Sequence, residues 1–295
     1  MTDLSAFPIT KKWPPAHPEQ IQLYSLPTPN GVKVSIMLEE CGLPYEPHLV
    51  SFEKNDQMSP EFISLSVNNK IPAILDPNGP GSEPLALFES GAILIYLAEK
   101  AGKFMPVDAA GRYETIQWVM FQMGGIGPMF GQLGFFHKFA GKDYEDKRPR
   151  DRYVAESKRL LGVLDRRLAG RSWVMGDAYT IADIAIFPWV RNLVGMYNAG
   201  ELVGFSDFPE VQRVLDAFVA RPAVARGPVR NPGGALHHAE RGRPCPPAPA
   251  LMPPSARRKT RLRCSPSPMP ASRCRARRGT RRVGRRDGRG DARQP

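Results

Sequence analysis

The sequence predicts an α/β domain followed by an all-helical domain, and three observations carry that prediction. Between residues 21 and 100, short strand patterns alternate with helix patterns. From 111 to 226 the apolar spacing is helical throughout. Beyond residue 230 the composition changes abruptly. The domain boundaries follow: an extended arm over 1–20, the α/β domain over 21–103, the helical domain over 104–230 and a basic tail over 231–295.

The arm is proline-rich and aperiodic (Phe7-Pro8, Trp13-Pro14-Pro15, His17-Pro18). It reads as extended chain, either anchored by Phe7 and Trp13 or free. Ile21 to Leu26 alternates at period two and reads as a strand. Val32, Ile36, Leu38 and Cys41 then recur at helical spacing, and Gly42 closes that helix. Tyr45 to Phe52 is a second strand. Ser59-Pro60 opens a helix with Ser as cap and Pro at the first position. Ala73 to Leu75 and Leu85 to Phe88 are two short strands split by the turn 76–81, and Ser90 to Lys100 is a helix. In the helical domain, Gly124-Gly125-Ile126-Gly127-Pro128 predicts a break or bend. A long helix spans about 150–168. Thr180 with Asp183 ahead of an apolar run is a capping box, structural in purpose. Phe208-Pro209 opens a helix that ends near Arg221-Pro222.

Charge and cysteine both divide at residue 230. The 295-residue chain carries +12, but residues 1–230 sum to −2 and residues 231–295 to +14. A near-neutral body gives no reason to expect a nucleic-acid face there. Cys41 is the body's one cysteine, so no intrachain bridge can form there, which fits a reducing cytoplasm. No apolar run reaches the roughly 20 residues of a membrane span, and no secretory signal is visible. In the tail, 42 of 65 residues are Ala, Gly, Pro or Arg, with no aromatic residue, which predicts disorder. The same bias is what a GC-rich gene gives when read out of frame.

Three short stretches carry chemistry. In Asn68-Asn69-Lys70-Ile71-Pro72-Ala73, a proline stands before a strand. It is either an ordinary strand-entry residue or the site of a cis bond. A cis bond would turn the Ile71 N–H and C=O outward to pair with an extended peptide. In Thr28-Pro29-Asn30-Gly31, Thr28 suits a helix cap and Pro29 the first position. The N–H groups beyond them would carry partial positive charge and favour a thiolate, besides capping the helix. In Glu89-Ser90, Ser90 reads as a cap over a helix end that can hold a carboxylate, with Glu89 beside it to pair with an ammonium. Together they fit a peptide with an α-amino-acid head and a thiol, which describes glutathione.

At this point residues 21–226 resemble the glutathione transferase family. The stretches 24–31, 68–73, 87–94 and 179–183 are similar to its bacterial nu class, the disulfide-bond oxidoreductases. The resemblance implies a thioredoxin-like N-terminal domain, an all-α C-terminal domain and a homodimer, with glutathione as co-substrate. It implies a cis bond before Pro72, pairing of the Ile71 backbone with the cysteinyl unit, and a γ-glutamyl site at Glu89 and Ser90. Asn30, with Thr28, matches the groups nearest the sulfur. Gln57 and Arg152 match glutathione contacts, Arg152 from across the dimer, and Lys70 and Gln132 are further candidates. No metal is implied.

The chain departs from many family members in having no Tyr, Ser or Cys at the thiol-side turn. Tyr24 lies within its strand and reads as packing, and Cys41 as buried and inert. Redox chemistry would then be carried by glutathione itself. The expected activity is reduction of small disulfides. The alternatives are conjugation of glutathione to electrophiles and a non-catalytic interaction module. Phe130, Phe135, Phe136 and Trp189 are expected to line an open pocket between the domains.

Overall fold

The structure is a computed structural model describing residues 4–230, the last three by backbone alone. Strands β1 (Ile21–Ser25), β2 (Tyr45–Leu49), β3 (Ala73–Asp76) and β4 (Leu85–Phe88) form one sheet in the order β2-β1-β3-β4. β1 and β2 run parallel; the other two pairs are antiparallel. This mixed sheet with its helices is thioredoxin-like.

β1 lies inside the sheet, and all five of its residues are buried because both faces are covered. Ile21 and Leu23, with Ile74 of β3, face the main core. Tyr24, with Ala73 and Leu75, faces a second, smaller core. Helices α2 (Pro29–Cys41) and α4 (Ser90–Ala101) close the first face; α1 (Ile9–Lys12) and α3 (Pro60–Leu65) close the second. Local chemistry sets the helix ends. Thr28 caps α2 by accepting from the Gly31 N–H at 3.2 Å, and Gly42 ends it at φ 70°. Ser59 caps α3 by accepting from the Phe62 N–H at 3.3 Å, with Pro60 at the first position.

The arm differs from expectation: it is not extended throughout but contains two short helical turns. Leu4–Ala6 form a 3-10 turn and Ile9–Lys12 a single α-helical turn. Leu4 and Ile9 are buried in the second core. The Trp13 indole donates to the Leu49 carbonyl at 3.0 Å, Lys12 pairs with Asp56 at 2.8 Å, and the Ala16 and His17 N–H groups donate to Glu46. Burial of Leu4, Ile9 and Trp13 offsets the ordering entropy that proline-rich composition alone would leave uncompensated.

The rest is helical: α5 (Ala109–Phe121), α6 (Gly127–His137), α7 (Arg148–Leu168), α8 (Ile181–Val194), α9 (Pro209–Val219) and α10 (Pro222–Arg230). The expected Gly-rich break is instead a π turn, Gln122–Ile126, that joins α5 to α6 with helical backbone on both sides. The capping box at Thr180 forms as read. Asp183 accepts from the Thr180 N–H at 2.9 Å and also from the Val174 N–H at 2.9 Å. Beyond Arg221 the chain starts a further helix, α10, which packs on α2. Among the described residues, no helix is long and apolar enough to cross a membrane. The readings made for residues 231–295 lie outside the described residues.

Candidate functional site

Sheet register brings the three motifs to one edge. Tyr24 pairs with Ala73, and Ala73 with Phe88, side by side across β1, β3 and β4. Because β3 runs opposite to its neighbours, Thr28–Asn30 follow the end of β1, Ile71-Pro72 precede the start of β3, and Glu89 follows the end of β4. Three stretches far apart in sequence therefore open at the same end of the sheet.

At the α2 end, only glycine fits at position 31, where a Cβ would sit 1.9 Å from the Leu26 carbonyl oxygen. That close approach sets the helix start that exposes Asn30. Asn30 Oδ1 accepts from Lys33 Nζ at 2.8 Å and from Trp189 Nε1 at 2.8 Å. An indole N–H can only donate, so the contacted atom is the amide oxygen. The Asn30 NH2 group has no partner among the described residues, and Asn30 lines a cleft.

Lys33 is the residue that sequence reasoning missed. It is 0% exposed, although charged. Its Nζ donates to Asn30 Oδ1, to Ser90 Oγ at 3.2 Å and to Gln122 Oε1 at 2.5 Å, and lies 3.7 Å from Met123 Sδ. All four partners are neutral. Burial pulls its ammonium down to about 7, against the opposing charge of Glu89. The available signal was one lysine inside the run Val32–Leu38, where every other residue is apolar or small.

At the α4 end, one reading needs correction. Ser90 is not the helix cap; it is the first helical residue, and its Oγ accepts from Lys33. Glu89 occupies the cap position at φ 72°, ψ 108°, with no side-chain cap bond. Its positive φ, uncommon for a non-glycine residue, takes the carboxylate out of capping geometry. That carboxylate is exposed and makes no hydrogen bond or ion pair among the described residues. The N–H groups of Ser90, Gly91 and Ala92 likewise lack backbone partners; the first paired one is that of Ile93, bonded to the Glu89 carbonyl.

Between the two helix ends lies Ile71, joined to Pro72 by a cis peptide bond. Among the described residues, the Ile71 N–H and C=O are paired neither in the sheet nor with other backbone. Gln57, before α3, has a buried side-chain oxygen with no partner among the described residues. Its loop touches the Ile71 loop where Asn69 Nδ2 donates to Met58 Sδ at 3.0 Å. Lys70 is exposed. Arg152 has a side chain 72% exposed, pairs loosely with Glu156 at 3.9 Å and does not line the cleft. Gln132 does line it.

That cleft holds about 320 Å³ and lies between Asn30 on one side and Gln122, Met123, Gly127, Pro128, Gly131, Gln132 and Trp189 on the other. Of the expected aromatic lining, Trp189 is present. Phe130 is fully buried in the core; Phe135 meets Tyr144 edge-on and Phe136 stacks on Tyr153 instead. Tyr24 is fully buried and stacked on His48 at 4.7 Å, and burial raises its phenol further. Cys41 ends α2, at the opposite end from Thr28, and burial raises its thiol to about 11. Neither reaches the cleft. A second depression, of about 280 Å³, is lined by Gly170, Arg171, Ser172, Glu210 and Arg213. Its Arg213 is already bonded to Glu210 and to the carbonyls of Leu168 and Arg171.

A mixed four-stranded sheet with a helical second domain and a cleft between them defines the class, and comparison with known proteins agrees. Residues 19–99 match the family model of the glutathione S-transferase N-terminal domain, and residues 127–222 that of its C-terminal domain. The chain belongs to the glutathione transferase family. Within it, the chain is 42% identical over 232 residues to disulfide-bond oxidoreductase YghU of Escherichia coli (strain K12), covering 76% of this chain and 79% of that protein. A glutathione transferase from Burkholderia graminis, solved with two glutathione molecules bound per protein subunit, is 77% identical with a TM-score of 0.76. That match covers 82% of this chain and 98% of the other. One from Pseudomonas putida, solved with one glutathione disulfide bound per subunit, is 76% identical with a TM-score of 0.75, covering 77% and 98%.

Proposed function

We propose that this chain reduces small disulfides by thiol–disulfide exchange, with glutathione as the reductant. The observation that carries the reading is the Asn30 amide. Its oxygen is occupied twice, which leaves an NH2 donor for a sulfur in a cleft lined by no cysteine among the described residues. In this reading Asn30 and the Thr28 hydroxyl steady the thiolate at the positive end of α2. The Ile71 N–H and C=O pair with the cysteinyl unit ahead of Pro72. The free N–H groups of Ser90 and Gly91 hold the γ-glutamyl carboxylate, and Glu89 holds its ammonium. Gln57, Lys70 and Gln132 add polar contacts, and Arg152 contributes from the second subunit of a homodimer.

The exchange balances without any further reductant. A glutathione thiolate attacks one sulfur of the substrate disulfide. The S–S bond breaks, a mixed disulfide forms, and the released thiolate takes a proton. A second glutathione attacks the mixed disulfide at the glutathione sulfur, giving glutathione disulfide and the second substrate thiol. The two glutathiones supply both electrons. The relatives named above support the reading, since one is named a disulfide-bond oxidoreductase and others hold glutathione or its disulfide. A cytoplasmic location fits the reduced glutathione that such chemistry needs.

The test is turnover with glutathione on a small dialkyl disulfide and on an aromatic electrophile, measured side by side. Disulfide turnover should dominate. Much faster turnover of the electrophile would make conjugation the function. Failure to bind glutathione at all would leave the interaction-module reading.

A further inference from the structure

We propose that Lys33 is a positioning residue for the glutathione sulfur: with Trp189 it locks the Asn30 amide so that its NH2 group faces the cleft. The inference rests on the glutathione reading above and adds a buried support to it. An asparagine amide can rotate by half a turn and present either its oxygen or its nitrogen. A carbonyl oxygen aimed at a thiolate would repel it, whereas an NH2 group donates to it. Two donors on Oδ1, the Lys33 ammonium on the inner side and the Trp189 indole from α8, leave one orientation. Trp189 alone would still favour that orientation. Lys33 adds the stronger, charge-assisted bond and polarises the amide, which makes the NH2 hydrogens better donors.

The way Lys33 is held fits this role better than a packing role. A buried ammonium is unfavourable unless its hydrogens are used. Here the neutral acceptors Asn30 Oδ1, Ser90 Oγ and Gln122 Oε1 surround it, and no carboxylate of the described residues lies in ion-pair range. The acceptors come from α2, α4 and the π turn. The single nitrogen therefore joins the sulfur-side helix end, the γ-glutamyl-side helix end and the cleft wall. A buried cation behind the amide, with only the more distant Glu89 carboxylate opposing its charge, is matched more closely when a thiolate occupies the cleft in front of it.

The test uses the full-length protein with glutathione bound, reading the bound thiolate by its ultraviolet absorbance across pH. Lys33→Met keeps the length of the side chain and removes the donor. It should cut the thiolate fraction near neutral pH about tenfold, the weight of one charge-assisted interaction. It should lower kcat by a similar factor while the KM for glutathione moves less. In an Asn30→Ala background the same substitution should change the thiolate fraction by less than about twofold, because the amide it acts through is gone. A thiolate fraction unchanged in Lys33→Met overturns the proposal, as does a full further loss on top of Asn30→Ala. If Lys33→Met does not fold by its melting curve, Trp189→Phe is read against the same background. A loss of about threefold that vanishes with Asn30→Ala supports the clamp; no loss, or a loss that persists, overturns it. Wild-type protein that takes up no glutathione in calorimetry would remove the underlying reading as well. Wild-type protein that binds it with a depressed thiol, beside an unchanged variant, would remove this inference alone.

Discussion

Helices α2 and α4 both start at the same edge of the sheet, yet their first turns are finished in opposite ways. At α2 the chain closes most of its own end: Thr28 accepts from the Gly31 N–H and Pro29 removes one donor, which leaves the Asn30 N–H without a partner among the described residues. At α4 nothing among the described residues does so. Glu89 stands in the cap position without capping, and three N–H groups remain unbonded. The difference teaches where each end spends its polarity. The α2 end keeps one backbone donor, the Asn30 N–H, and offers a side-chain amide beside it, suited to a soft sulfur. The α4 end is open in the backbone and offers N–H groups beside a carboxylate, suited to a zwitterionic head group. Lys33 links the two through Asn30 and Ser90.

The largest effect should come from removing the donor at the α2 end. Asn30→Ala should lower kcat for disulfide reduction about a hundredfold, the scale of losing one preorganised donor to a developing or resident anion. Its KM for glutathione should shift little. Steady-state kinetics with glutathione as the varied substrate checks both. At the α4 end the pattern should invert. Glu89→Gln should raise the KM for glutathione about tenfold with kcat nearly unchanged, because it removes an ion pair to a part of the ligand that does not react. Equal effects on both constants in both variants would erase the distinction between the two ends.

The linking lysine gives the next prediction. Its ammonium is held at about 7 in the folded, ligand-free protein against an ordinary value of 10.5. The unfolded chain therefore binds more protons through this interval, so stability rises with pH from about 7 toward 10.5. Between pH 6 and 8, wild-type stability should gain about 1 kcal/mol relative to Lys33→Met, read by denaturant unfolding at each pH. A pH-independent difference would mean that the lysine does not titrate there. The smallest effect belongs to the fold alone: Thr28→Ala should cost about 1 kcal/mol through loss of the α2 cap. Glu89→Gln should cost almost none, since Glu89 caps nothing; chemical denaturation of the two variants sharpens the contrast directly.

These elements also mark what could be read from the chain. Features set by neighbours in sequence were legible: the caps at Thr28 and Ser59, the first-turn prolines, the Gly42 stop and the Thr180–Asp183 box. They depend on a residue's own backbone preference, as at the prolines and Gly42, or on a side chain reaching a backbone group two or three residues away. Features set by distant partners were not. Lys33 is buried because Ser90 and Gln122, 57 and 89 residues further on, converge on it. Composition gives no hint of that convergence. Ser90 looked like a cap because Ser often is one; the φ of Glu89 moved the helix start by one residue. Gly124–Pro128 looked like a break, yet packing against α7 and α8 keeps the turn helical. The arm looked extended until Leu4, Ile9 and Trp13 found the second core.

The central claim is that the reducing thiols come from glutathione and from no residue of this chain. It is tested by replacing Cys41 with Ala and Cys245, Cys264 and Cys274 with Ser in one full-length variant. The measurement is kcat/KM for glutathione-dependent reduction of a small dialkyl disulfide. The account predicts a value within about twofold of wild type, because no protein thiolate takes part in the exchange. A loss of about a hundredfold or more in a folded variant would mean that a protein cysteine is the nucleophile, and would contradict it.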